Sequence, residues 1–320
     1  MFVRFVYLLV IVIWATTPLS IKLGGDSLSP IAALTLRIAL AFMVGSALCT
    51  LFGWAGLNIR RHWQLYLAAS ISLFPNMVLV YWAAQFIPSG LIALMFGLSP
   101  FFTALMAAPI LGDHRWSPRK LLAVLLAAVG LLCVLADDVV VTGDSYRGIG
   151  LMLLSNVLFS GSALWVKKLN AQMVIAPLEQ ALGAMAFALP GLVLSWLWVF
   201  GVQPLVFSSA SLASLLYLSL FASLVGFVAY YYILGALPVE TVSLIPLISP
   251  VLALLIGHQL LDEPLTTSMA LGAGLILVAL AVHQGLWWRL RAEAGETLVG
   301  RRRRGWACAL RRSLAGWCNK

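Results

Sequence analysis

Long apolar stretches alternate with short polar segments along the whole chain. A helix that crosses a bilayer needs about 20 mainly apolar residues, and ten stretches meet that length. Because the segments between them are short, consecutive helices should be antiparallel neighbours. The pattern predicts an all-α integral membrane protein with ten transmembrane helices. The predicted spans cover residues 5–24, 29–52, 64–86, 89–111, 118–136, 147–166, 174–199, 211–235, 240–261 and 266–287.

The second half of the chain repeats the first half after a shift of 150 residues, without a gap from residue 65 to residue 125. The identical pairs include Tyr81/Tyr231, Pro88/Pro238, Ser99/Ser249 and Pro100/Pro250. Each copy contains five predicted spans, and since five is odd, equivalent helices must face opposite ways. An inverted repeat is typical of secondary transporters, in which a site near mid-membrane opens alternately to either side. We therefore predict two inverted five-helix repeats, residues 5–136 and 147–287.

The composition excludes a soluble protein. Hydrophobic residues make up 62% of the chain and charged residues 10%, and the mean hydropathy is +1.01, whereas a soluble domain is about half apolar and a quarter charged. No span carries paired carboxylates or an HExxH pattern, and no glycine-rich phosphate loop ends in Lys-Ser or Lys-Thr. We expect a protein that is not an enzyme and that ATP does not drive directly.

The net charge of +9 reflects membrane topology rather than nucleic-acid binding. With the amino terminus in the cytoplasm, eight Lys and Arg residues fall in predicted inner segments and two in outer segments, and nine more follow the last span. Basic segments of a membrane protein stay preferentially on the cytoplasmic side. We expect both termini in the cytoplasm, an inner (plasma) membrane location and no nucleic-acid partner.

The four cysteines give no sign of a disulfide or a metal site. Cys49 and Cys133 lie in predicted spans, whereas Cys308 and Cys318 lie in the predicted cytoplasmic tail, where thiols stay reduced. No CxxC spacing occurs. We expect no metal and no cofactor.

Several local motifs of the chain resemble those of a known family. They are Trp14-Ala-Thr-Thr-Pro in span one, Arg37 early in span two, Tyr81…Gln85-Phe-Ile-Pro before span four, Ser99-Pro100…Leu111-Gly112-Asp113 in the first half and Ser249-Pro250…Leu261-Asp262-Glu263 in the second. Together with the inverted halves, this set is similar to the EamA-type members of the drug/metabolite transporter superfamily. The resemblance covers residues 5–287 and implies export of amino-acid-like metabolites or organic compounds. The family usually has Glu where this chain has Asp113.

Arg37 is the strongest candidate for a substrate contact. It lies about eight residues into span two, roughly 12 Å from the outer end at about 1.5 Å per residue. A charge at that depth costs at least a few kcal/mol unless it has a partner or a wet cavity. Arg37 either holds an anionic substrate group or a gating carboxylate, or it extends outward or pairs with a neighbouring helix.

Polar side chains within the spans should face the protein interior, because lipid offers no hydrogen bonds. The candidates for a cavity lining are Trp14, Thr17, Arg37, Asn76, Tyr81, Gln85, Asn156, Ser160 and Tyr231. Apart from Arg37 they fall in spans one, three, six and eight, which favours one shared cavity. The alternative is hydrogen bonding between helices, typically below about 1 kcal/mol per contact. Spans five and ten are almost purely apolar and should face lipid or a second protomer.

Glu179, Lys22 and Lys167 are candidates for coupling or gating. Glu179 lies at the inner start of span seven, where it either couples transport to protons or stabilises the helix dipole. Lys22 and Lys167 end spans one and six at opposite mouths, where they either attract anions or anchor the helices. Pro100 and Pro250 interrupt spans four and nine at matched positions, which is a sequence sign of a midplane site.

The leading hypothesis is a secondary transporter, and an exporter in particular, that moves small metabolites or drug-like organic molecules by alternating access. The alternative is a flippase for a lipid or a lipid-linked sugar, which the same fold would allow if its cavity opened sideways. A small-molecule substrate and membrane lipids are the expected partners. Coupling to protons and a homodimer are further hypotheses.

The charge bias predicts which segments an impermeant reagent reaches. In a chain without its native cysteines, Arg60→Cys and Trp116→Cys should resist an impermeant maleimide in intact cells, whereas Val141→Cys should react. Labelling at position 60 from outside would overturn the topology, and the inverted-repeat argument with it.

Residues 288–320 form a basic tail with the pattern of an amphipathic surface helix. Trp306, Leu310, Leu314 and Trp317 recur at helical spacing after Arg301–Arg304. A helix with a basic flank should lie on the anionic inner leaflet, and a disordered tail that only enforces topology is the alternative. A peptide of residues 300–320 should gain helix on anionic vesicles by circular dichroism. Without that gain, the tail contributes charge alone.

Overall fold

The computed structural model describes residues 2–25, 27–52, 56–111, 118–135, 143–170, 172–173, 175–199, 205–236 and 266–284, with single positions between 245 and 259. Every regular element in these ranges is helical. In chain order the helices are α1 (Phe2–Gly24), α2 (Pro30–Leu51), α3 (Ile59–Ser70), α4 (Asn76–Ala83), α5 (Ser89–Phe96), α6 (Ser99–Leu111), α7 (Pro118–Leu135), α8 (Ser145–Asn170), α9 (Pro177–Leu194), α10 (Ser209–Tyr217), α11 (Gly226–Ala236) and α12 (Thr267–Gln284). The π-helical segments Ser195–Val199 and Leu218–Val225 continue α9 and α10.

Six helical segments of the described residues are long and apolar enough to cross a membrane. They are Val3–Gly24, Pro30–Leu51, Ser89–Ala107, Ser145–Asn170, Pro177–Trp198 and Ser209–Ile233. The apolar parts of α7 and α12 are shorter, Leu121–Cys133 and Thr267–Ala279. Most of the predicted ninth span, with Pro250, lies outside the described residues, as does the tail over residues 288–320. The count of ten spans therefore stays a prediction.

The predicted third span is not one continuous helix. α3 ends at Ser70, a turn follows, and α4 begins directly after Pro75. Proline lacks a backbone N–H and its ring clashes with the preceding turn, so a helix that reaches it stops or kinks. The span predicted over residues 64–86 thus consists of two helices separated at Pro75, and α3 begins earlier than predicted, at Ile59.

The predicted fourth span is interrupted just before Pro100. α5 ends at Phe96 and α6 begins at Ser99, so Pro100 lies in the first turn of α6. A proline is tolerated there because the first N–H groups of a helix have no partner within it. The interruption itself lies at Gly97 and Leu98.

α9 packs against α2, α3 and α11. Aromatic rings pack against two of its glycines. Gly183 faces the ring of Tyr66 on α3, and Gly191 faces the ring of Phe74 in the turn after α3. A Cβ atom at either glycine would overlap that ring. Tyr66 is completely buried and meets Phe187 edge-on at 5.8 Å between ring centroids. Because glycine has no side chain at these two positions, α3 can lie directly on α9.

α7 and α12 form a closely packed pair. A Cβ atom at Gly130 of α7 would lie 2.7 Å from the carbonyl oxygen of Gly272 on α12, so the two backbones approach closely. Large apolar side chains such as Leu125, Leu132 and Leu271 are exposed on the outer faces of the pair. These faces suit lipid or a second protomer, as expected for spans five and ten.

Connections that the topology assigns to the outside lie together at one end of the molecule. Ser27, in the segment after α1, donates from Oγ to the carbonyl oxygen of Val206 before α10, at 2.8 Å. Lys22 near the end of α1 donates from Nζ to the carbonyl oxygen of Ile87 before α5, at 3.3 Å. Ser145, the first residue of α8, donates from Oγ to the carbonyl oxygen of Phe86, at 3.2 Å. These contacts bring the predicted outer segments into one group.

Gly183→Ala should destabilise the protein, because the added methyl group would overlap the buried Tyr66 ring. Overpacking of this kind costs about 1–3 kcal/mol, so the protein purified in detergent should lose its monodisperse size-exclusion peak at a lower temperature. Gly150→Ala in α8 is the matched control, since a Cβ atom there meets nothing within 4 Å and alanine favours a helix. Equal heat resistance of the two variants would contradict the packing of α3 on α9.

Candidate functional site

A cavity of about 430 Å³ opens between α1, α2 and α4. Gly25 and residues 27–31, which lead from the end of α1 into α2, form one wall, and α4 with the turn after it forms the other. From that second wall Val78, Tyr81, Trp82 and Gln85 line the cavity. We call this end of the molecule, where the predicted outer segments meet, the cavity end. Of the residues predicted to line a cavity, Tyr81 and Gln85 do so.

Arg37 lies behind Tyr81 in the interior of α2, and only 3% of it is exposed. Its Nε donates to Ser223 Oγ at 2.7 Å, and its Nη1 donates to the Tyr81 hydroxyl at 3.3 Å. The guanidinium carbon lies 6.0 Å from the centroid of the Tyr81 ring, within reach of a cation–π contact. Within the described residues these neutral groups are its partners, and none is a carboxylate.

The sequence pattern gives little reason to single out Ser223. It lies in the π-helical segment Leu218–Val225, which packs against α2. Its spacing of four residues from Ser219 marks a polar row in a predicted span, and both serines are buried. Which of the two faces Arg37 depends on the rotation of this segment, and hydrophobic content alone does not fix that rotation.

Trp14 and Tyr231 belong to an aromatic group between α1 and α11. The ring centroid of Trp14 lies 5.1 Å from that of Tyr230, and Tyr230 lies 5.5 Å from Tyr231. Phe227 extends the group, 6.3 Å from Tyr231. Aromatic pairs at such distances attract one another beyond the burial of their area. The two predicted residues are therefore connected through Tyr230.

Among the described residues, the hydrogen-bond partner of the Thr17 side chain lies in its own helix. Its Oγ1 donates to the carbonyl oxygen of Ile13 in the same helix at 2.6 Å. The neighbouring Thr16 makes the interhelical contact instead, with 2.5 Å between its Oγ1 and the hydroxyl of Tyr217 on α10. The hydrogen bond between helices at this turn of α1 is thus made by the residue that precedes Thr17.

Asn76, Asn156 and Ser160 are fully buried and lie between helices. Asn76 accepts from the Ser155 hydroxyl at 2.7 Å, and Asn156 donates to the carbonyl oxygen of Met95 at 2.9 Å. Ser160 donates to the carbonyl oxygen at residue 99 at 3.1 Å. These three residues make hydrogen bonds between helices, and none of them belongs to the wall of the cavity.

Glu179 joins α9 to α3. Its Oε1 accepts from the Tyr66 hydroxyl at 2.5 Å and lies 2.7 Å from His62 Nδ1. The backbone N–H of Asn58, which caps α3, donates to the same tyrosine oxygen at 3.2 Å. Since the Glu179 carboxylate has these partners on another helix, its role goes beyond stabilising the first turn of α9.

The glutamate and the cavity lie at opposite ends of the molecule. Side chains of α8 contact the α3–α4 unit in reverse chain order, Ser162 at Ala68 and Ser155 at Asn76. The start of α8 then contacts the loop after α4. His62 therefore lies at one end of the unit and Gln85 at the other. Lys22 lies at the cavity end, and the exposed Lys167 lies near the far end of α8.

Sequence comparison identifies the class of protein that carries this arrangement. The model of the EamA-like transporter family matches residues 1–136 and again residues 146–283. The chain belongs to the EamA-like transporter family. EamA membership makes it a membrane transporter, with a small molecule as substrate and lipids as its surroundings. The resemblance seen in the sequence motifs is thereby confirmed.

Named relatives of this EamA-like transporter include exporters. The "Probable amino-acid metabolite efflux pump" of Escherichia coli (strain K12) is 27% identical over 299 residues, which cover 90% of this chain and 97% of that protein. The "Probable terminal-alkyne amino-acid exporter" of Streptantibioticus cattleyicolor is 25% identical over 261 residues, which cover 80% and 84%. These names give no support to the lipid-flippase alternative.

A solved crystal structure shares the fold. It is 19% identical in sequence, has a TM-score of 0.63 and covers 90% of this chain and 98% of its own. At that identity the likeness shows the fold alone. The EamA-like chain thus has a known architecture over nearly its whole length.

Proposed function

We propose that this EamA-like transporter exports small carboxylate-bearing metabolites of the amino-acid type across the plasma membrane by alternating access. The names of its relatives support the direction and the substrate class, since an amino-acid metabolite efflux pump and an amino-acid exporter both align over most of the chain. The predicted charge bias supports cytoplasmic termini. Drug-like organic acids fall within the same chemical class.

The observation that carries this proposal is the buried guanidinium of Arg37. A guanidinium has five N–H donors, and within the described residues the hydrogen bonds to Ser223 and Tyr81 occupy two of them. An uncompensated charge in the membrane interior is costly, and a carboxylate offers two parallel acceptors that match the guanidinium plane. A substrate carboxylate that enters beside Tyr81 would supply the missing negative charge.

Alternating access is supported by features of both halves. The two segments that match the family model, residues 1–136 and 146–283, agree closely with the proposed repeats 5–136 and 147–287. The turn over residues 71–75, shifted by 150, falls on 221–225, at the end of the π-helical segment. Equivalent positions of the halves thus both depart from α-helix. Interruptions at matched positions are the expected mark of a midplane site.

Energy for export would come from an ion gradient, and a proton gradient is our proposal because Glu179 is a partly buried carboxylate with a histidine partner. The Lys22 and Lys167 ammonium groups, near opposite ends of the molecule, would attract anionic substrates to the two mouths.

A second copy of the chain would dock on the exposed apolar faces of α7 and α12.

Arg37→Lys and Arg37→Ala should both reach the membrane and sharply reduce efflux. A hydrogen bond to a charged group is worth about 1.5–3 kcal/mol, so the alanine variant should lose roughly 10- to 150-fold in transport of a limiting substrate. The lysine keeps the charge and loses the planar fork. Efflux of preloaded labelled amino acids from cells measures the effect. Arg147→Ala is the control, since that arginine is 73% exposed. Full activity of Arg37→Ala would refute the proposal.

The carboxylate itself can be tested with matched substrates. Amino acids that the wild type transports should outcompete their carboxamides, which have the same shape and no negative charge. In Arg37→Ala that preference should disappear, while in Arg147→Ala it should persist. A preference that survives the loss of Arg37 would place carboxylate recognition elsewhere.

A further inference from the structure

The contact of His62 and Tyr66 with Glu179 joins α3 to α9 at the end of the molecule away from the cavity. The two α3 residues are four apart and thus share one face of the helix, and both meet one oxygen atom of the glutamate on α9. The side chains of His62 and Glu179 are each 11% exposed, so solvent from one side of the membrane reaches them. Tyr66 beneath them is completely buried.

We propose that His62, Tyr66 and Glu179 form a proton-dependent latch that holds α3 against α9 and keeps this end closed while the cavity end is open. The latch rests on the proposed function, because alternating access requires the closed end to open in another state. It assigns to Glu179 two partners and a mechanical role in addition to the coupling suggested above.

Opening of this end would have to break these hydrogen bonds. α3 and the turn after it lie on α9 from Glu179 to Gly191. The ring of Tyr66 occupies the space over Gly183, and the ring of Phe74 occupies the space over Gly191. At the partly exposed end of this contact, the hydrogen bonds among His62, Tyr66 and Glu179 replace the apolar packing. The cluster is therefore the first contact that water meets when the two helices separate.

The strength of a contact between histidine and a carboxylate depends on whether the imidazole carries its second proton. A protonated imidazole and an ionised glutamate form a charge-assisted hydrogen bond, which is about twice as strong as a neutral one. Separation of the helices destroys this pair, so proton binding is linked to closure by mass action. Histidine is also the side chain that ordinarily changes charge near neutral pH. Lower pH on this side should favour the closed end, and higher pH should favour opening.

Other titratable groups on the surrounding elements do not replace this pair. Within the described residues, none of them makes a hydrogen bond or ion pair with His62 or Glu179. They are Arg60 and Arg61 on α3, Cys49 on α2, Lys167 and Lys168 on α8, and Tyr230, Tyr231 and Tyr232 on α11. The arginines and lysines among them are exposed, where water screens their charge.

Spin labels on the two helices would measure the latch directly. Ile59 begins α3 and Ala176 immediately precedes α9, and both are exposed. In the full chain, with its native cysteines replaced by serine, Ile59→Cys and Ala176→Cys would carry the labels. Double electron–electron resonance in lipid nanodiscs at pH 6 and pH 8 then gives the distance distribution without any substrate.

We expect mainly a short distance at pH 6 and a growing longer population at pH 8. The ratio of open to closed molecules should rise about fivefold, from the difference between charged and neutral hydrogen bonds. His62→Gln keeps a hydrogen-bond donor and cannot take up the proton, so its distribution should be the same at both pH values. Arg61→Gln removes a neighbouring exposed charge and should keep the wild-type response.

The latch is overturned if the wild-type distances ignore pH, or if His62→Gln responds as the wild type does. Glu179→Gln provides a second test that does not depend on the histidine variant folding, and it should also remove the response. Failure here leaves Arg37-dependent efflux untouched, whereas failure of the proposed function appears in the efflux assay and leaves these distances unchanged.

Discussion

Hydrogen bonding of the backbone inside a bilayer is the constraint on which this structure depends. Lipid offers no partners, so each carbonyl group released by an interrupted helix needs one from the protein. α8 provides several of them. Ser162 donates to the carbonyl oxygen of Ala68 at 2.6 Å, whose usual helical donor, the N–H of Ser72, bonds to Ala69 instead. Near the interruption after α5, Asn156 donates to the carbonyl oxygen of Met95, which also accepts from the N–H of Leu98. The polar row of α8 thereby contacts the backbone at both interruptions, and α4, which begins after the first of them, carries Tyr81 to the cavity wall.

Sequence and structure agree best where a single property of a segment, such as its apolar length, determines its secondary structure. Apolar length is enough to predict α1, α2, α8 and α9, because only a helix satisfies the backbone in lipid. Rotation of a helix about its axis is a different matter. With 62% of the chain hydrophobic, the difference between the faces of a helix is small, so the sequence could not indicate that Asn156 meets a carbonyl group rather than a cavity. His62 was hidden for a related reason, since it lies outside the apolar stretch and becomes a partner of Glu179 only through the packing of α3 on α9.

Two charged side chains of the described helices, the buried Arg37 and the partly buried Glu179, are stabilised in different ways. Arg37 is surrounded by hydroxyl groups, whose dipoles stabilise a cation without cancelling it, so its charge can still attract an anion. Glu179 faces a histidine, whose proton can cancel the charge of the carboxylate. The first environment suits the binding of a ligand, and the second suits a contact between helices that depends on conditions. This chemical difference supports separate roles for the two ends of the molecule.

The contact between Gly130 and Gly272 has a consequence for how the halves of the transporter move. α7 belongs to the first half and α12 to the second, and their backbones approach too closely there for a side chain to fit between them. Two helices in such close contact slide past each other less readily than they tilt about the contact. If the two halves rock against each other, this contact acts as the fulcrum, and the displacement of a residue grows with its distance from the contact. The helices that line the cavity take no part in the pair, so a small tilt at the fulcrum would be amplified into a larger excursion at the mouth.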